Sequence, residues 1–270
     1  KMKFDYKNEK DSRNIINNIF ILSFEKKDLP FKSIIVPTGL PSIAYIFGEK
    51  QRIIHNKIRT DFNNFIVSGQ FDSTYEYFVN SEATNFGINL NPTALYKLLK
   101  TDISLLTNKH ICIEELNKSL NYNASKIFIK HKNNVDGFIK EFIEHIESLD
   151  LLIDNDVKNI DLAIDYIFEK EGMLQVLDLL KIIPLSQKSL ETKFKKIIGL
   201  TPGKYLRLIR FTKLMRKYES KEIDINDLIY MYNYYDHSHF IKDFKLFMSE
   251  SPKLYFKKEY PLIKAYSKDL

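Results

Sequence analysis

The sequence is poor in several residue types that mark particular classes of protein. Its single cysteine, Cys112, cannot form an intramolecular disulfide, so a small secreted fold held by disulfides is excluded. No apolar run approaches the roughly 18 residues of a membrane-spanning helix, and the first residues lack the apolar stretch of a signal peptide. We therefore expect a soluble, cytoplasmic protein that binds no membrane.

Glycine is scarce, with eight residues in 270, and no glycine-rich phosphate loop or nucleophile elbow is present. The six histidines form no metal-ligand pattern, because the strand-rich part holds only His55 and the pair His110-x-Cys112 is too sparse. Isoleucines on both sides of Cys112 favour a buried structural thiol over a redox sensor or a nucleophile. The sequence thus predicts no enzymatic activity, no cofactor and no metal site.

The positive charge of the chain is concentrated in one segment. Residues 1–158 hold 21 basic and 20 acidic side chains, whereas residues 159–270 hold 20 and 15, and the whole chain has a net charge of +6. Between residues 181 and 217 there are eleven basic side chains and one acidic side chain, Glu191. Such a cluster indicates an anionic partner for the C-terminal part.

The first 91 residues have the pattern of short β-strands. Apolar, β-branched and aromatic runs are separated by turn-forming residues such as Gly48-Glu49 and Gly69-Gln70. The runs cover residues 19–24, 31–37, 42–47, 52–58, 65–68, 74–79 and 86–90. Seven strands in this length predict an antiparallel β-barrel or sandwich.

From Pro92 onward the apolar residues recur at helical spacing. Pro92 suits the first turn of a helix, and a further amphipathic helix is expected at residues 135–149. The apolar stripe of that helix is interpreted as core, with a homodimer contact as the alternative, and consists of Phe138, Phe142, Ile146 and Leu149. The polar stretch 150–159 predicts a boundary between domains of residues 1–150 and 156–270.

Residues 174–202 have the pattern of a helix-turn-helix. A short helix at about 174–182 is followed by Pro184, and Ser186 can cap a second helix that ends at Gly199. We predict that exposed side chains near the start of this second helix read base edges and that later lysines contact phosphates. The predicted base-reading residues are Gln187, Lys188 and Thr192, and the predicted phosphate contacts are Lys195 and Lys196.

A second copy of this pattern occupies residues 225–252. Asn233 lies at its predicted turn, and Asp236 can cap its second helix. Both copies have a polar cap, a Leu or Phe four positions later, Phe-Lys after four more, and a final Thr-Pro or Ser-Pro. The predicted base-reading residues here are His237, Ser238 and Lys242, and the predicted phosphate contact is Lys245.

A long helix is predicted at residues 202–218, between the two copies. Seventeen residues at a rise of about 1.5 Å form a rod of about 25 Å. Such a rod would hold two recognition helices near one turn of DNA apart, which is about 34 Å. This geometry favours double-stranded DNA over another polyanion.

Three motifs carry a family resemblance. They are Ser186-x-Lys188-x-Leu190-x-x-x-Phe194-Lys195, Gly199-x-Thr201-Pro202-x-x-Tyr205-Leu206-x-x-x-Arg210, and Asp236-x-Ser238-His239-Phe240-x-x-x-Phe244-Lys245 with Ser251-Pro252. Through these motifs, residues 160–260 closely resemble the DNA-binding domain of AraC/XylS-type transcription regulators. The resemblance implies two helix-turn-helix subdomains joined by a long helix, a contact with promoter DNA and a contact with RNA polymerase.

The chain departs from the pattern of that family at several positions. Asn233-Tyr234 stands where the family usually has Gly-Phe, and Ser249 stands where it has Gly. Thr192 and Lys242 replace arginines that are common in the two recognition helices. Arginine binds guanine through two hydrogen bonds and lysine does so less rigidly. We therefore expect these changes to alter the operator sequence and the affinity for it, and not the fold.

The N-terminal part carries a second resemblance. The matching segments are Ile35-Val36-Pro37-Thr38-Gly39, Ser68-Gly69-Gln70 and Phe86-Gly87-Ile88-Asn89-Leu90-Asn91-Pro92. Through these segments, residues 10–120 are similar to a poorly characterised cupin-like domain that occurs fused to AraC-type DNA-binding domains. The resemblance implies a sensory or dimerisation role.

The sequence therefore predicts an α+β protein: an N-terminal antiparallel, cupin-like β-barrel with trailing helices, then an all-α double helix-turn-helix domain. We expect a sequence-specific transcription regulator that binds promoter DNA as a homodimer and senses a small-molecule effector or uses its N-terminal domain for dimerisation. One alternative is an architectural or protein-interaction DNA-binding protein without an effector. The other, an enzyme with a catalytic N-terminal barrel, lacks a set of acid, base, nucleophile or metal ligands.

Overall fold

A computed structural model describes residues 2–220, 223–258, 260 and 262–263, with strands in the N-terminal half and helices after them. The strands are β1 (Lys3–Lys7), β2 (Ile16–Phe24), β3 (Phe31–Ile35), β4 (Ser42–His55), β5 (Ile58–Ser68), β6 (Tyr75–Val79), β7 (Ala83–Leu90) and β8 (His110–Cys112). The helices are α1 (Ala94–Leu99), α2 (Ile113–Leu116), α3 (Lys118–Lys130), α4 (Val135–Ser148), α5 (Asn155–Glu169), α6 (Val176–Leu179), α7 (Gln187–Ile198), α8 (Pro202–Glu219), α9 (Ile225–Met231), α10 (His237–Met248) and α11 (Pro252–Tyr255). Two short 3-10 helices cover Lys26–Asp28 and Ile103–Leu106. The predicted α+β architecture is confirmed.

The strands of the described chain form one branched antiparallel sheet. Its main path runs β1-β2-β7-β4-β5-β8, and β6 joins this path through β4 while also pairing with β3. The first half of β4 pairs with β7, and residues 52–54 of the same strand pair with β6. The hairpin of β4 and β5 is therefore the element on which both branches depend.

The prediction of two separate strands within β4 is wrong, as is the turn predicted at Gly48. The ladder between β4 and β5 shifts register between Ile46 and Gln51, so the additional residues form a bulge instead of a turn. The turn lies at Asn56 and Lys57, whose φ values are 49° and 68°. Two successive residues with positive φ match the right-handed twist of the flanking strands, and asparagine tolerates this conformation well.

Several other boundaries differ from the sequence prediction. The edge strands β1 and β8 were not predicted, since β1 alternates charged and aromatic residues and β8 has only three residues. Helix α1 begins at Ala94 instead of Pro92, and α6 is much shorter than the predicted helix at 174–182. Helix α5 begins at Asn155, inside the polar stretch that was predicted to be a boundary.

Buried apolar side chains from both halves of the chain form a large shared core, and a second, smaller cluster lies mostly within the strand-rich part. In α4, Phe138, Phe142 and Ile146 are each at most 1% exposed, and the rings of Phe138 and Phe86 lie 4.2 Å apart between centroids. The interpretation of this stripe as core is confirmed. The alternative of a homodimer contact through the stripe is wrong, because these side chains are already covered.

Cys112 is only partly buried, so the prediction of a buried thiol holds in part. Burial, with Glu115 and Glu114 nearby, raises the pKa of its thiol and disfavours the nucleophilic thiolate. The described residues contain no group of three or more His, Cys, Asp or Glu side chains that could hold a metal ion. Within the same part of the chain, every helix is too short or too polar to cross a membrane.

A buried histidine makes the stability of the fold dependent on pH. The Nδ1 atom of His110 lies 2.7 Å from Ser68 Oγ, and burial lowers the pKa of His110 to about 3. Below pH ~6.5 the unfolded chain takes up a proton that the folded chain does not, so acid favours unfolding. The contribution of His110 to the free energy of unfolding should fall by about 1.4 kcal/mol per pH unit between about pH 6 and pH 4.

Urea unfolding at a series of pH values would measure this slope. We expect His110→Gln to make the slope shallower than in the unchanged protein, whereas Asn123→Gln, at an exposed position on α3 that does not titrate, should leave it unchanged. Equal slopes for the unchanged protein and His110→Gln would contradict the assignment.

Candidate DNA-binding surface and its contacts with the N-terminal domain

The first recognition helix, α7, has the ends that the sequence predicts. The Ser186 hydroxyl accepts a hydrogen bond from the backbone N–H of Ser189 at 3.3 Å. Gly199 ends the helix with a φ of 98°, a conformation in which glycine avoids the strain of a side chain. Leu190 and Phe194 are fully buried, so the opposite side of α7 faces outward.

The second recognition helix, α10, is built in the same way. The Asp236 carboxylate accepts a hydrogen bond from the backbone N–H of His239 at 2.8 Å. Asn233 in the preceding turn and Ser249 after the helix have φ values of 56° and 57°. Both residues adopt the left-handed conformation that the family's glycines favour, at a cost of about 1 kcal/mol each. The buried side chains of α10 are Phe240, Asp243, Phe244, Phe247 and Met248.

The two helices repeat each other at a constant offset of 50 residues. Helix α7 spans Gln187–Ile198 and α10 spans His237–Met248, and the caps at Ser186 and Asp236 keep the same offset. The predicted DNA contacts fall at exposed positions of this repeat. They are Gln187, Lys188, Thr192, Lys195 and Lys196 in α7, and His237, Ser238, Lys242 and Lys245 in α10.

Some of these side chains have partners on their own helix or nearby. Gln187 donates to the Glu191 carboxylate at 3.2 Å, and the Thr192 hydroxyl donates to the Lys188 carbonyl at 2.9 Å. The Lys196 ammonium lies 5.7 Å from the ring centroid of Tyr96 in α1. Among the lysines of α7 and α10, Lys193 pairs with Asp156, and the others form no ion pair with another described residue; they are Lys188, Lys195, Lys196, Lys242 and Lys245.

A buried ionic cluster that the sequence analysis missed fixes α10 on α8. Asp243, which is 3% exposed, accepts hydrogen bonds from Arg207 and from Arg210, the latter at 3.2 Å. The Tyr234 hydroxyl donates to the same carboxylate at 2.9 Å, and the Arg210 guanidinium lies 4.2 Å from the Tyr234 ring centroid. Burial and the charge of Asp243 together raise the pKa of Tyr234.

The sequence did contain a signal for this cluster. Asp243 lies three residues after Phe240 and four before Phe247, which places its carboxylate on the apolar side of α10. An acidic residue at a buried position requires a cationic partner. The hydroxyl of Tyr234, where the family has Phe, adds a donor to the same carboxylate.

Contacts with the N-terminal domain hold the C-terminal ends of both recognition helices. The Thr107 hydroxyl donates to the carbonyl of Gly199 at 2.7 Å. The backbone N–H of Thr74 donates to the carbonyl of Phe247 at 2.8 Å, and the Thr74 hydroxyl donates to the carbonyl of Met248 at 2.8 Å. Two threonines thus satisfy carbonyls that lack partners within their own helices.

The connecting helix α8 is held by the loop of residues 36–40. The Tyr205 hydroxyl donates to the carbonyl of Gly39 at 2.8 Å, and the Lys204 ammonium lies 2.6 Å from the Asp72 carboxylate. Gly39 has a φ of 78°, and a Cβ at this position would lie 2.5 Å from Ile209 Cδ1. The Ile209 side chain can move, but the positive φ is a conformation in which a side chain would be strained, so glycine is favoured here. We call the contacts of Thr74, Thr107, Gly39 and Asp72 with the helices the interdomain contacts.

A cavity of about 120 Å³ lies inside the N-terminal domain. The loop of residues 36–40 forms part of its wall, so the loop separates the cavity from α8. Gln70 also lines the cavity and donates to the Gly39 carbonyl at 2.9 Å. One carbonyl oxygen therefore accepts hydrogen bonds from the cavity wall and from Tyr205.

The fold and surface define a DNA-binding protein with two helix-turn-helix units on one connecting helix. A family described as a helix-turn-helix domain matches residues 179–258, and a domain of unknown function, DUF6597, matches residues 9–112. The chain carries an AraC-type helix-turn-helix domain, so the resemblance to AraC/XylS-type regulators is confirmed, and the protein is a DNA-binding transcription regulator. No curated protein matches the sequence.

Solved structures with a similar overall arrangement include ToxT from Vibrio cholerae O395 bound to (E)-4-(8-methylnaphthalen-1-yl)but-3-enoic acid. It has 11% identity and a TM-score of 0.47, and the match covers 94% of this chain and 98% of that chain. ToxT from V. cholerae strain SCE256 with a bound unsaturated fatty acid has 11% identity, a TM-score of 0.47 and coverages of 92% and 96%. The AraC-like transcriptional activator CuxR has 10% identity, a TM-score of 0.30 and coverages of 80% and 87%.

We predict that Asp243→Ala destabilises the C-terminal domain by about 3 kcal/mol, because Arg210 would keep a partly buried charge without its partner. Urea unfolding followed by circular dichroism would measure the loss. Asp227→Ala is the matched control, since Asp227 is exposed on α9, and it should change stability by less than about 0.5 kcal/mol. Equal effects of the two changes would show that the buried cluster does not stabilise the domain.

Proposed function

We propose that the protein is a sequence-specific regulator that places α7 and α10 in successive major grooves of promoter DNA. The observation that carries the proposal is the 50-residue repeat of the two helices, with equivalent caps, on either side of α8. Eighteen residues of α8 span about 27 Å, which is compatible with half-sites about 34 Å apart.

Within this proposal the exposed side chains divide into two groups. Positions near the start of each recognition helix read base edges, and those farther along contact phosphates. The proposed base-reading residues are Gln187, Lys188, Thr192, His237, Ser238 and Lys242, and the proposed phosphate contacts are Lys195, Lys196 and Lys245. Lys196 would have to leave the ring of Tyr96 to reach a phosphate.

We further propose that residues 1–150 form a domain that senses a small molecule and controls the DNA-binding domain of residues 156–270. The interdomain contacts support this role, since they reach both recognition helices and α8. The cavity supports it as well, because its wall includes the loop that contacts α8. A movement of the cavity wall would therefore be transmitted through this loop to α8.

Dimerisation and contact with RNA polymerase rest on the family resemblance, and action in the cytoplasm rests on the composition of the sequence. Because the α4 stripe is buried, a homodimer would have to form through another surface. The architectural alternative, without sequence choice or effector, is disfavoured by the varied polar side chains on α7 and α10. It would require neither the interdomain contacts nor the cavity.

A mobility-shift experiment with a promoter fragment library tests sequence-specific binding. We expect retention of discrete fragments whose sites extend over at most about two turns of DNA per protomer, because each protomer supplies two recognition helices. An excess of unrelated duplex should remove only the weakly bound fragments. Equal retention of all fragments would favour the architectural alternative.

Two lysine variants test the division between base and phosphate contacts. We expect Lys188→Ala to relax the preference at one base pair, at a cost of about 1–3 kcal/mol on the preferred site. Lys195→Ala should weaken binding to all sequences alike and reduce the slope of log affinity against log salt by about one. Both variants remove one exposed positive charge, so each is the control for the other. Identical behaviour would overturn the division of roles.

A third variant tests control by the N-terminal domain. We propose that the interdomain contacts hold a state of low DNA affinity, in which Lys204 pairs with Asp72 instead of a phosphate. Asp72→Asn should therefore raise DNA affinity about two- to fivefold and steepen the salt dependence. Asp61→Asn changes the net charge equally but removes contacts with Arg52 and Arg59 inside the N-terminal domain. If both variants raise the affinity equally, net charge is the cause and the proposed control fails.

A further inference from the structure

We propose that the cavity of the N-terminal domain binds an uncharged molecule, about the size of a six-membered ring, that donates hydrogen bonds through hydroxyl or amide N–H groups. This inference rests on the sensing role proposed above and names the class of molecule sensed. It follows from the volume of the cavity, the absence of charge in its described wall, and two acceptor oxygens that face the cavity.

The volume of the cavity limits the size of its ligand. The space measures about 120 Å³, and an engineered cavity of about 150 Å³ holds one benzene molecule. Apolar side chains such as Ile46, Phe62 and Ile66 cover part of the wall and suit the body of a ring.

The wall of the cavity disfavours an ionic ligand. Among the described residues that line it there is no Asp, Glu, Lys or Arg. His110 is the only histidine among them, and burial keeps its ring neutral at physiological pH. Because an ion loses its hydration on entering such a space and would find no opposite charge there, a neutral molecule is favoured.

Two side-chain amides present acceptor oxygens to the space of the cavity. Gln70 and Asn89 line the cavity and are 1% and 8% exposed. The amide N–H₂ of Gln70 donates to the Gly39 carbonyl, and the amide N–H₂ of Asn89 donates to the side-chain oxygen of Asn18 at 2.8 Å. These bonds fix the orientation of both amides and leave Gln70 Oε1 and Asn89 Oδ1 without a hydrogen bond from another described residue.

Neither oxygen is among the fully buried side-chain atoms without a partner in the described residues, so both reach the space of the cavity. A ligand that displaces water from them has to supply hydrogen-bond donors in its place. A ligand with two hydroxyl or amide N–H groups would supply both donors. Since Gln70 also holds the Gly39 carbonyl that Tyr205 contacts, the same ligand would act on the residue that joins the cavity wall to α8.

Three ring compounds of similar size test the inference on the full chain: cis-cyclohexane-1,3-diol, cyclohexanecarboxylate and cyclohexylammonium. Titrations followed by protein NMR at pH 7 would give the affinity of each. We expect the diol to bind at least about tenfold more tightly than either ion. Equal or tighter binding of an ion, or no binding of the diol, would overturn the proposal.

Diol titrations of variants with changes in the cavity wall test whether the diol binds in the cavity. Gln70→Leu and Asn89→Leu should each weaken diol binding about three- to tenfold, whereas Asn123→Leu, at an exposed position on α3, should not change it. Because Gln70→Leu also removes a bond to Gly39, Ala44→Leu serves as a second test. It fills the cavity without removing a polar group and should abolish binding while the thermal unfolding transition remains. Unchanged binding to Ala44→Leu would place the diol elsewhere and overturn the proposal.

DNA affinity measured with and without the diol separates this inference from the sensing role. Diol binding in the cavity with no change in DNA affinity would support the ligand class and contradict sensing. Binding of cyclohexanecarboxylate in preference to the diol, together with a change in DNA affinity, would support sensing and contradict the ligand class.

Discussion

The carbonyl oxygen of Gly39 is the point at which the two halves of the molecule depend on each other. It accepts hydrogen bonds from Gln70 in the cavity wall and from Tyr205 in α8, and the positive φ of residue 39 favours glycine at this position. A carbonyl has two acceptor sites, so both bonds form without competition. Any displacement of the loop changes both bonds together, which couples the cavity to the helix that carries the DNA-binding units.

The arrangement of the two recognition helices in the C-terminal domain follows from a repeated sequence pattern. Each recognition helix has a polar cap at its start, a buried apolar stripe, and a residue with positive φ at its end, and each is followed by a proline at the first position of the next helix. Equal lengths and equal ends give the two helices the same arrangement of exposed residues. The buried bonds of Asp243 to Arg207 and Arg210 then fix the second helix on α8.

Local signals made the C-terminal domain predictable, while the sheet depended on long-range pairing. Ser186, Gly199, Asn233 and Asp236 act within a few residues of their positions, so the sequence indicated the caps and turns correctly. At Gly48 the local pattern indicated a turn, but pairing with β5 and β7 keeps the strand continuous. The cavity and the interdomain contacts were beyond sequence reasoning, because residues as distant as Thr74 and Met248 meet only in the folded chain.

The threonine contacts with α7 and α10 lie at the carbonyl ends of these helices, whereas the proposed base-reading residues lie toward the amide ends. The N-terminal domain can therefore hold a recognition helix without covering the part that would enter a groove. Under the proposed function, the N-terminal domain would change the angle between α7 and α10 without covering their base-reading residues. Promoters with different spacings between the two half-sites would then distinguish the ligand-bound form from the ligand-free form.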